Sequence, residues 1–429
     1  MKIIFAIIIL FIFKTALSID PFWIRKASPT AGNLKNVFFI NNNTGWISGD
    51  SGLIARTTNS GNNWTIQTTS TVKDIQTLHF INERLGWALA WEVFPDSNSY
   101  LGTEIFKTTN GGVNWLSYMY FDTNQFMKTI YFIDSLKGFM AGAPLSIVYT
   151  TNAGQTWTEA DTDTSLIIGF PIEKIKFSNP QSGYACGGFR DIAGAMWRTS
   201  NGGINWLATI VGPEPLNDLY ISNSSNVIAA GGDFEYGSSI VRTSNSGVNW
   251  LYDTLGTFGL ATGIDFRTLN EGWITLGIAQ KFAYTLDFGN TWANIYTPDS
   301  IPVFGIDFTD SLNGWAVGYE GAIFKYNGIK VNITDINGLT NPSGFTLYQN
   351  YPNPFNPETV ISYVLNQTDH VNLVIYDAIG RNILTLVNSE QTIGEHKVSF
   401  SSGSLPSGIY FYELTLGKHS EVKKMLLLK

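Results

Sequence analysis

The octapeptide Thr57-Thr58-Asn59-Ser60-Gly61-Asn62-Asn63-Trp64 limits the fold more than any other stretch, because five close copies follow it, ending at Trp115, Trp157, Trp206, Trp250 and Trp292. Each copy places an Asn or Asp, whose side chain can accept from nearby amides, before a Gly free to take positive φ and a Trp that opens a strand. A tight hairpin that returns every 42 to 51 residues predicts an array of small sheets. A β-sandwich does not explain such a fixed interval.

A second mark recurs with its own offset. An apolar strand ends in Phe, and six residues later a new strand opens with Gly and an aromatic: Phe39 to Gly45-Trp46, Phe80 to Gly86-Trp87, Phe132 to Gly138-Phe139, Phe177 to Gly183-Tyr184, Phe266 to Gly272-Trp273 and Phe308 to Gly314-Trp315. A degenerate copy, Ile221 to Val227, raises the count of units to seven. In the last unit Gly321 to Gly328 begins the hairpin pattern and stops before its Trp, while Phe22-Trp23-Ile24-Arg25-Lys26 near the start resembles the missing strand. The expected fold is all-β: a seven-bladed β-propeller over 19–329, closed by an N-terminal strand lying beside Ala322 to Tyr326. In the first unit the strands are expected at Val37–Asn41, Trp46–Gly49, Leu53–Thr57 and Trp64–Thr68. The six repeated Trp residues are expected to be buried as packing between blades.

Composition agrees. Charged residues are 14%, aromatics 14%, and 42 glycines serve the turns. With 26 Lys and Arg against 34 Asp and Glu, the chain lacks the basic surface that nucleic acid requires. Cys186 stands alone, so neither an internal disulfide nor a thiolate metal cluster can form. Met1-Lys2, the apolar run Ile3 to Phe13 and the small residues Ala16-Leu17-Ser18 read as a signal peptide over 1–18. The run is short for a bilayer span, and no later stretch is long and apolar enough, so no transmembrane segment is expected in the mature chain.

After Gly328 the repeat ends. Residues 330–344 read as a linker, and 345–429 as a small C-terminal β-sandwich. Its first motif contains Asn350, Pro352, Pro354, Phe355, Asn356 and Pro357, where the prolines forbid helix and hold an extended segment before the first strand. The strand Val371 to Asp377 leads through Tyr376, Asp377 and Gly380 into Ile383 to Val387; Gly408 and Tyr410 open another, and Lys424-Met425 belong to the last.

The six Trp-ended turns resemble the Asp-box, or bacterial neuraminidase repeat, with Asn in five of them where that family usually has Asp. The seven-unit region as a whole looks most like the photosystem II assembly factor family. The motifs of the tail resemble the type A sorting domain of the type IX secretion system. That resemblance implies Sec-dependent export, a periplasmic intermediate in a Bacteroidetes-type cell, engagement of the type IX apparatus, and secretion or attachment at the outer-membrane surface. It also implies that the tail is usually removed and replaced by a surface glycolipid.

Sialidase chemistry needs an arginine triad, a Tyr nucleophile and a carboxylic acid. Here Arg56, Arg198, Arg242, Lys107 and Lys325 occupy equivalent repeat positions, which indicates a structural or surface role for them. Trp23 to Lys26 also lacks the Arg-Ile-Pro signature of sialidases. A ligand site is expected on the face carrying irregular insertions, Trp91 to Gly102, Ala160 to Glu173, Gly187 to Ala195 and Gly231 to Ser239. These hold Trp91, Glu92, Asp96, Tyr100, Asp161, Asp163, Arg190, Asp191, Asp233, Glu235 and Tyr236. Aromatics beside carboxylates can stack on and hydrogen-bond a sugar; the same carboxylates can equally be solvated loop residues. The four His residues show no ligand spacing, and no catalytic residue, metal or cofactor is expected. The expected function is a non-enzymatic binding or scaffold module at the cell surface, with an unknown protein or glycan ligand. A glycoside hydrolase using the loop carboxylates and an assembly-factor-like role are the alternatives.

Overall fold

The computed structural model describes residues 22–93, 100–120, 125–163, 169–327, 345–350, 352–365, 367–377, 380–417 and 419–429. The expected signal peptide, the linker 330–344 and Asp96 lie outside the described residues. The chain divides into two compact units on either side of the 329/330 boundary.

Among the described residues the first unit contains seven sheets, each of four antiparallel strands except where an extra segment joins. The first sheet runs Leu34–Phe39, Gly45–Gly49, Ile54–Thr57 and Thr65–Gln67. The leading strands of the others are Ile75–Phe80, Phe126–Phe132, Ile172–Phe177, Leu216–Ile221, Gly263–Phe266 and Val303–Phe308. Each leading strand packs against that of the next sheet, and the seventh packs against the first. The seventh sheet takes its outer strand, Trp23–Lys26, from the front of the chain, with Trp23 opposite Tyr326 and Lys26 opposite Ile323. Trp23 is buried there, stacked on Phe282 at 4.9 Å and edge-on to Trp273 at 5.6 Å.

The Gly-aromatic mark has a steric cause. In every sheet but the fifth, the Phe that ends the leading strand lies across the Gly opening the second, so that a Cβ on Gly86 would sit 2.2 Å from the Phe80 ring and one on Gly45 2.5 Å from Phe39. The aromatic beside that Gly then stacks on the Phe of the adjoining sheet: Trp46 on Phe80 at 3.6 Å, Trp87 on Phe132 at 3.5 Å, and Trp315 on Phe39 at 3.5 Å. Close stacking of this kind adds about 1 kcal/mol per pair beyond the area buried.

The repeated turn is held by two side chains. In the first copy Thr57 Oγ1 accepts from Gly61 N at 3.0 Å and donates to Asn59 Oδ1, which accepts from Asn63 N at 2.9 Å. In the last, Asp287 Oδ1 accepts from Thr291 N at 2.8 Å. Asn and Asp offer the same acceptor oxygen, which accounts for the Asn in five of the turns. Ser60 and Gly61 both take positive φ, 61° and 76°.

The repeated Trp residues are less buried than expected. Trp115 and Trp206 are buried, but Trp64, Trp157, Trp250 and Trp292 are half-buried. Trp64 stands edge-on to Phe39 of its own sheet at 5.9 Å and Trp157 to Phe132 at 6.1 Å, whereas Trp250 stands edge-on to Tyr184 of the preceding sheet at 6.4 Å. The inner Trp positions 46, 87, 273 and 315 are fully buried instead. The repeated cations cover those inner rings and tie sheets together: Lys107 lies over Trp87 and donates to Ala153 O at 3.0 Å, and Arg198 donates to Ser246 O at 2.8 Å.

In the second unit a three-stranded sheet, Phe345–Leu347, Glu358–Leu365 and Gly394–Ser401, accompanies a four-stranded one, Asn382–Gln391, Asp369–Asp377, Gly408–Leu416 and His419–Leu427. Their shared core includes Phe355, Ile361, Tyr363, Tyr412 and Met425. Asn350 is buried; its Nδ2 donates to Pro352 O at 3.0 Å and Thr359 Oγ1 at 2.9 Å, and its backbone N donates to Tyr412 Oη at 2.8 Å. The proline-rich motif is tied to the last strand, since Phe355 N donates to Leu426 O and Leu428 N to Phe355 O. Gly380, at φ 81°, ends a turn in which Asp377 O accepts its amide.

Candidate functional site

The sequence directs attention to the insertions, and the structure gives them tighter geometry than expected. They are hairpins extended from the second and third strands: Gly183–Phe189 with Ala193–Thr199 in the fourth sheet, and Val227–Asp233 with Gly237–Thr243 in the fifth. These two hairpins bring five of the candidates into one neighbourhood. The Arg190 guanidinium lies over the Phe234 ring, 5.6 Å from its centre. The Tyr236 hydroxyl is pushed up chiefly by Glu235, with smaller effects from Asp233 and Asp191. Around them Phe189, Ile192, Tyr236 and Phe258 are exposed at 50 to 64%, and Phe234 stands 6.3 Å from Phe258.

Asp233 is not a surface ligand group. It is buried, and its Oδ1 accepts from Glu235 N at 2.9 Å and Tyr236 N at 2.7 Å, so it builds the hairpin turn. Asp161 and Asp163 also depart from expectation. Asp161–Thr162 forms a parallel strand on the edge of the fourth sheet, where Asp161 accepts from Asn205 Nδ2 and Asp163 N donates to Trp206 O. Asn205 belongs to a repeated turn, so these acids are drawn to the turn end rather than to the inserted hairpins. Glu92 is engaged by Lys73. Tyr100 opens the strand Tyr100–Thr108.

A second polar concentration was not anticipated. Among the leading strands lies a cavity of about 180 Å³, to which Asn36, Thr77, Lys128, Lys174, Asn217 and Thr262 contribute from six successive sheets, and which Trp91 also lines. In and around its wall, polar side chains reach from one sheet to the backbone of the next. Asn36 Nδ2 donates to Gln76 O at 3.0 Å, His79 Nε2 bonds Phe132 O at 3.0 Å, and Asn217 Nδ2 donates to Ala261 O at 2.8 Å. The acids work in the opposite sense: Asp218 Oδ2 accepts from Ile264 N at 3.1 Å, Asp265 Oδ2 from Phe308 N at 2.6 Å, and Asp307 Oδ2 from Phe39 N at 2.7 Å.

The electrostatics follow from burial and near charges. Burial pushes the Asp265 carboxyl up to about 6, and burial together with Asp265 pushes Asp307 well above the carboxylate range. Burial would raise Asp218 too, but Lys176 and Lys174 hold it below its usual value. Burial, aided by Lys174 and Lys176, lowers the His79 imidazole to about 4. The sequence signal was present: Lys174-Ile175-Lys176, Asp218, Asp265 and Asp307 interrupt strands that are otherwise apolar. Among the described residues no group of three or more His, Cys, Asp or Glu is placed to hold a metal.

Comparisons with known proteins support the two-part reading. Residues 349–428 match the secretion system C-terminal sorting domain, and residues 95–250 match the photosynthesis system II assembly factor YCF48. No curated protein matches. Among solved structures, YCF48 bound to D1 peptide is 18% identical, with a TM-score of 0.55 over 72% of this chain and 97% of that one. YCF48 from Cyanidioschyzon merolae is 16% identical, with a TM-score of 0.57 over 72% of this chain and 100% of that one. The GH74 xyloglucanase from Xanthomonas campestris is 9% identical, with a TM-score of 0.54 over 94% of this chain and 67% of that one.

The chain is thus an all-β protein with propeller-like relatives in fold, similar to YCF48 in its body and carrying a type IX sorting tail. The tail implies secretion through the type IX system to the cell surface or outer membrane. Among the described residues no helix is long and apolar enough to cross a membrane.

Proposed function

We propose that this protein is an exported seven-bladed propeller, closed by the strand Trp23–Lys26, that binds a polypeptide segment at the cell surface without catalysing a reaction on it. The observation that carries this reading is the exposed aromatic cluster of Phe189, Phe234 and Tyr236 on the two hairpins, with Arg190 over the Phe234 ring and Phe258, from the segment after Leu251–Thr254, 6.3 Å from Phe234. Exposed Phe and Ile beside a single Arg suit a peptide better than a sugar, since protein contacts favour aromatics and Arg at their centre. The peptide carried by YCF48 in its solved complex is consistent with this choice. On this reading residues 1–18 direct Sec export, the Trp-ended turns are Asp boxes, and the tail is exchanged for a glycolipid after a periplasmic stage.

Binding is tested by displaying the full chain to a peptide array and repeating with Phe234→Ala and Arg190→Ala. Peptides retained by the parent and lost by both variants support the reading. The hydrolase alternative draws on the GH74 likeness in fold and on Asp191 and Glu235, the acids left at the hairpin tips. Release of reducing sugar from a polysaccharide panel, abolished by Asp191→Asn or Glu235→Gln, would replace binding with catalysis.

A further inference from the structure

The exposed aromatics of the two hairpins do not end at Phe258. Its neighbour Gly259 meets the turn of the sixth sheet so closely that a Cβ there would stand 2.7 Å from Ala279 Cβ, and beside Ala279 the Ile278 side chain is exposed. The same turn adjoins the seventh sheet. A Cβ on Gly277 would lie 3.7 Å from the Phe304 ring, and Phe304 stands 4.8 Å from the exposed Tyr319. Phe234, Phe258, Ile278 and Tyr319 thus form a file of exposed apolar side chains from the fifth sheet to the seventh, begun by Phe189 in the fourth. Single exposed apolar side chains are ordinary; a linked file across four sheets marks a surface that a partner covers.

The loops that carry this file are acidic. Segments 189–193, 233–237, 255–262, 277–280 and 319–321 contain Asp191, Asp233, Glu235 and Glu320 against the single cation Arg190. Arg190 lies over the Phe234 ring and makes no ion pair among the described residues. Asp233 Oδ2 is buried with no hydrogen-bond partner among them. The Tyr236 hydroxyl registers the excess, being pushed up by Glu235 first and then by Asp233 and Asp191. Lys281, next along the sixth sheet, is turned onto the Tyr296 ring of the outer strand Ala293–Tyr296.

We infer that the peptide of the proposed function is a basic, apolar segment that crosses the fourth to seventh sheets, with Lys or Arg side chains beside Asp191 and Glu235 and apolar ones on Phe234, Phe258, Ile278 and Tyr319. The inference rests on the peptide reading and adds the charge and reach of the ligand. Packed sheets lie roughly 10 Å apart, so three steps cover roughly 30 Å, which an extended chain rising about 3.3 Å per residue spans in about nine residues. An acidic segment would set like charges against the loop carboxylates, which an interface disfavours strongly.

The test titrates the full chain, by fluorescence anisotropy at physiological salt, into labelled triple repeats of Lys-Leu-Gly-Phe and of Glu-Leu-Gly-Phe. The basic repeat is expected to bind at least tenfold tighter than the acidic one. Asp191→Asn combined with Glu235→Gln should weaken it at least fivefold, whereas Glu159→Gln combined with Glu390→Gln, which removes equal charge from exposed strand positions outside the file, should leave it unchanged. Ile278→Ser and Tyr319→Ser should each weaken it at least threefold. Circular dichroism checks folding; should Tyr319→Ser, which loses its packing on Phe304, fail to fold, Ile278→Ser alone reads that end of the file. Equal or tighter binding of the acidic repeat, no loss in the Asp191 and Glu235 double variant, or full affinity in Ile278→Ser, with Phe234→Ala still weakening binding, would overturn the inference and leave the peptide reading standing. No saturable binding of either repeat overturns it too, and only a blank peptide array would remove the peptide reading with it.

Discussion

Asp307 in the seventh sheet accepts a hydrogen bond from the backbone amide of Phe39 in the first, at 2.7 Å, joining segments 268 residues apart. Asp265 and Asp218 make the corresponding bonds one and two sheets earlier. Losing the acceptor strands a buried amide, so Asp307→Ala is expected to destabilise the protein by about 1–3 kcal/mol. Asp307→Asn retains an oxygen acceptor and is expected to cost much less. Urea midpoints of the two variants decide the matter; equal loss would mean that the contact to Phe39 is incidental.

Acid stability should carry two opposing slopes from this same region. Between about 4 and 6.5 the unfolded chain holds a proton on His79 that the folded chain lacks, so His79 makes folding more favourable as pH rises. Between 3.8 and about 6 the folded chain holds a proton on Asp265 that the unfolded chain has released, so Asp265 makes folding less favourable as pH rises. Relative to the parent, His79→Gln should gain up to about 2–3 kcal/mol on acidification from pH 6.5 to 4, and Asp265→Asn should lose stability over the same interval. Denaturant midpoints at half-unit pH steps read both. Parallel profiles for parent and variants would refute the assignment of these groups.

The repeat marks differ in what they tolerate. Gly86→Ala puts a methyl group 2.2 Å from the Phe80 ring, which must move within a stacked pair, and is expected to cost about 1–3 kcal/mol. Asn59→Asp keeps the oxygen that accepts from Asn63 N and is expected to be nearly neutral, while Asn59→Ala should cost about 1 kcal/mol. Thermal unfolding of the three variants ranks them.

In the tail, Asn350 joins the proline-rich motif to Thr359 and Tyr412. Asn350→Ala leaves several buried partners unsatisfied and is expected to destabilise the second unit by about 2 kcal/mol or more. Export follows from the same contact: a reporter fused to 330–429 with this change should accumulate inside the cell envelope of a type IX-competent host. Undiminished surface display would separate the motif's role in folding from its role in export.

The architecture was legible in the sequence because each repeat mark has a local steric or hydrogen-bonding cause. Gly86 is small because Phe80 covers it, and Asn59 is an acceptor because the turn presents Asn63 N. The pairing partner of Trp23 could be inferred from what the last unit lacked. The site was less legible. Asp161 looks like any loop acid until its parallel pairing with Asn205 is seen, and Asp233 looks exposed until its oxygen is found on two backbone amides. Lys174, Asp218, Asp265 and Asp307 were visible as polar breaks in apolar strands. Their convergence depends on seven leading strands facing one another, which no local pattern encodes.

The pairing of Trp23–Lys26 with Ile323–Tyr326 also sets a timetable. During synthesis the earliest strand emerges long before its neighbour exists, so it must wait, unpaired, until nearly the whole body has been made. A chain whose completion is postponed in this way gains its last edge only at the end, and removal of Trp23–Lys26 would leave the final sheet with a bare margin.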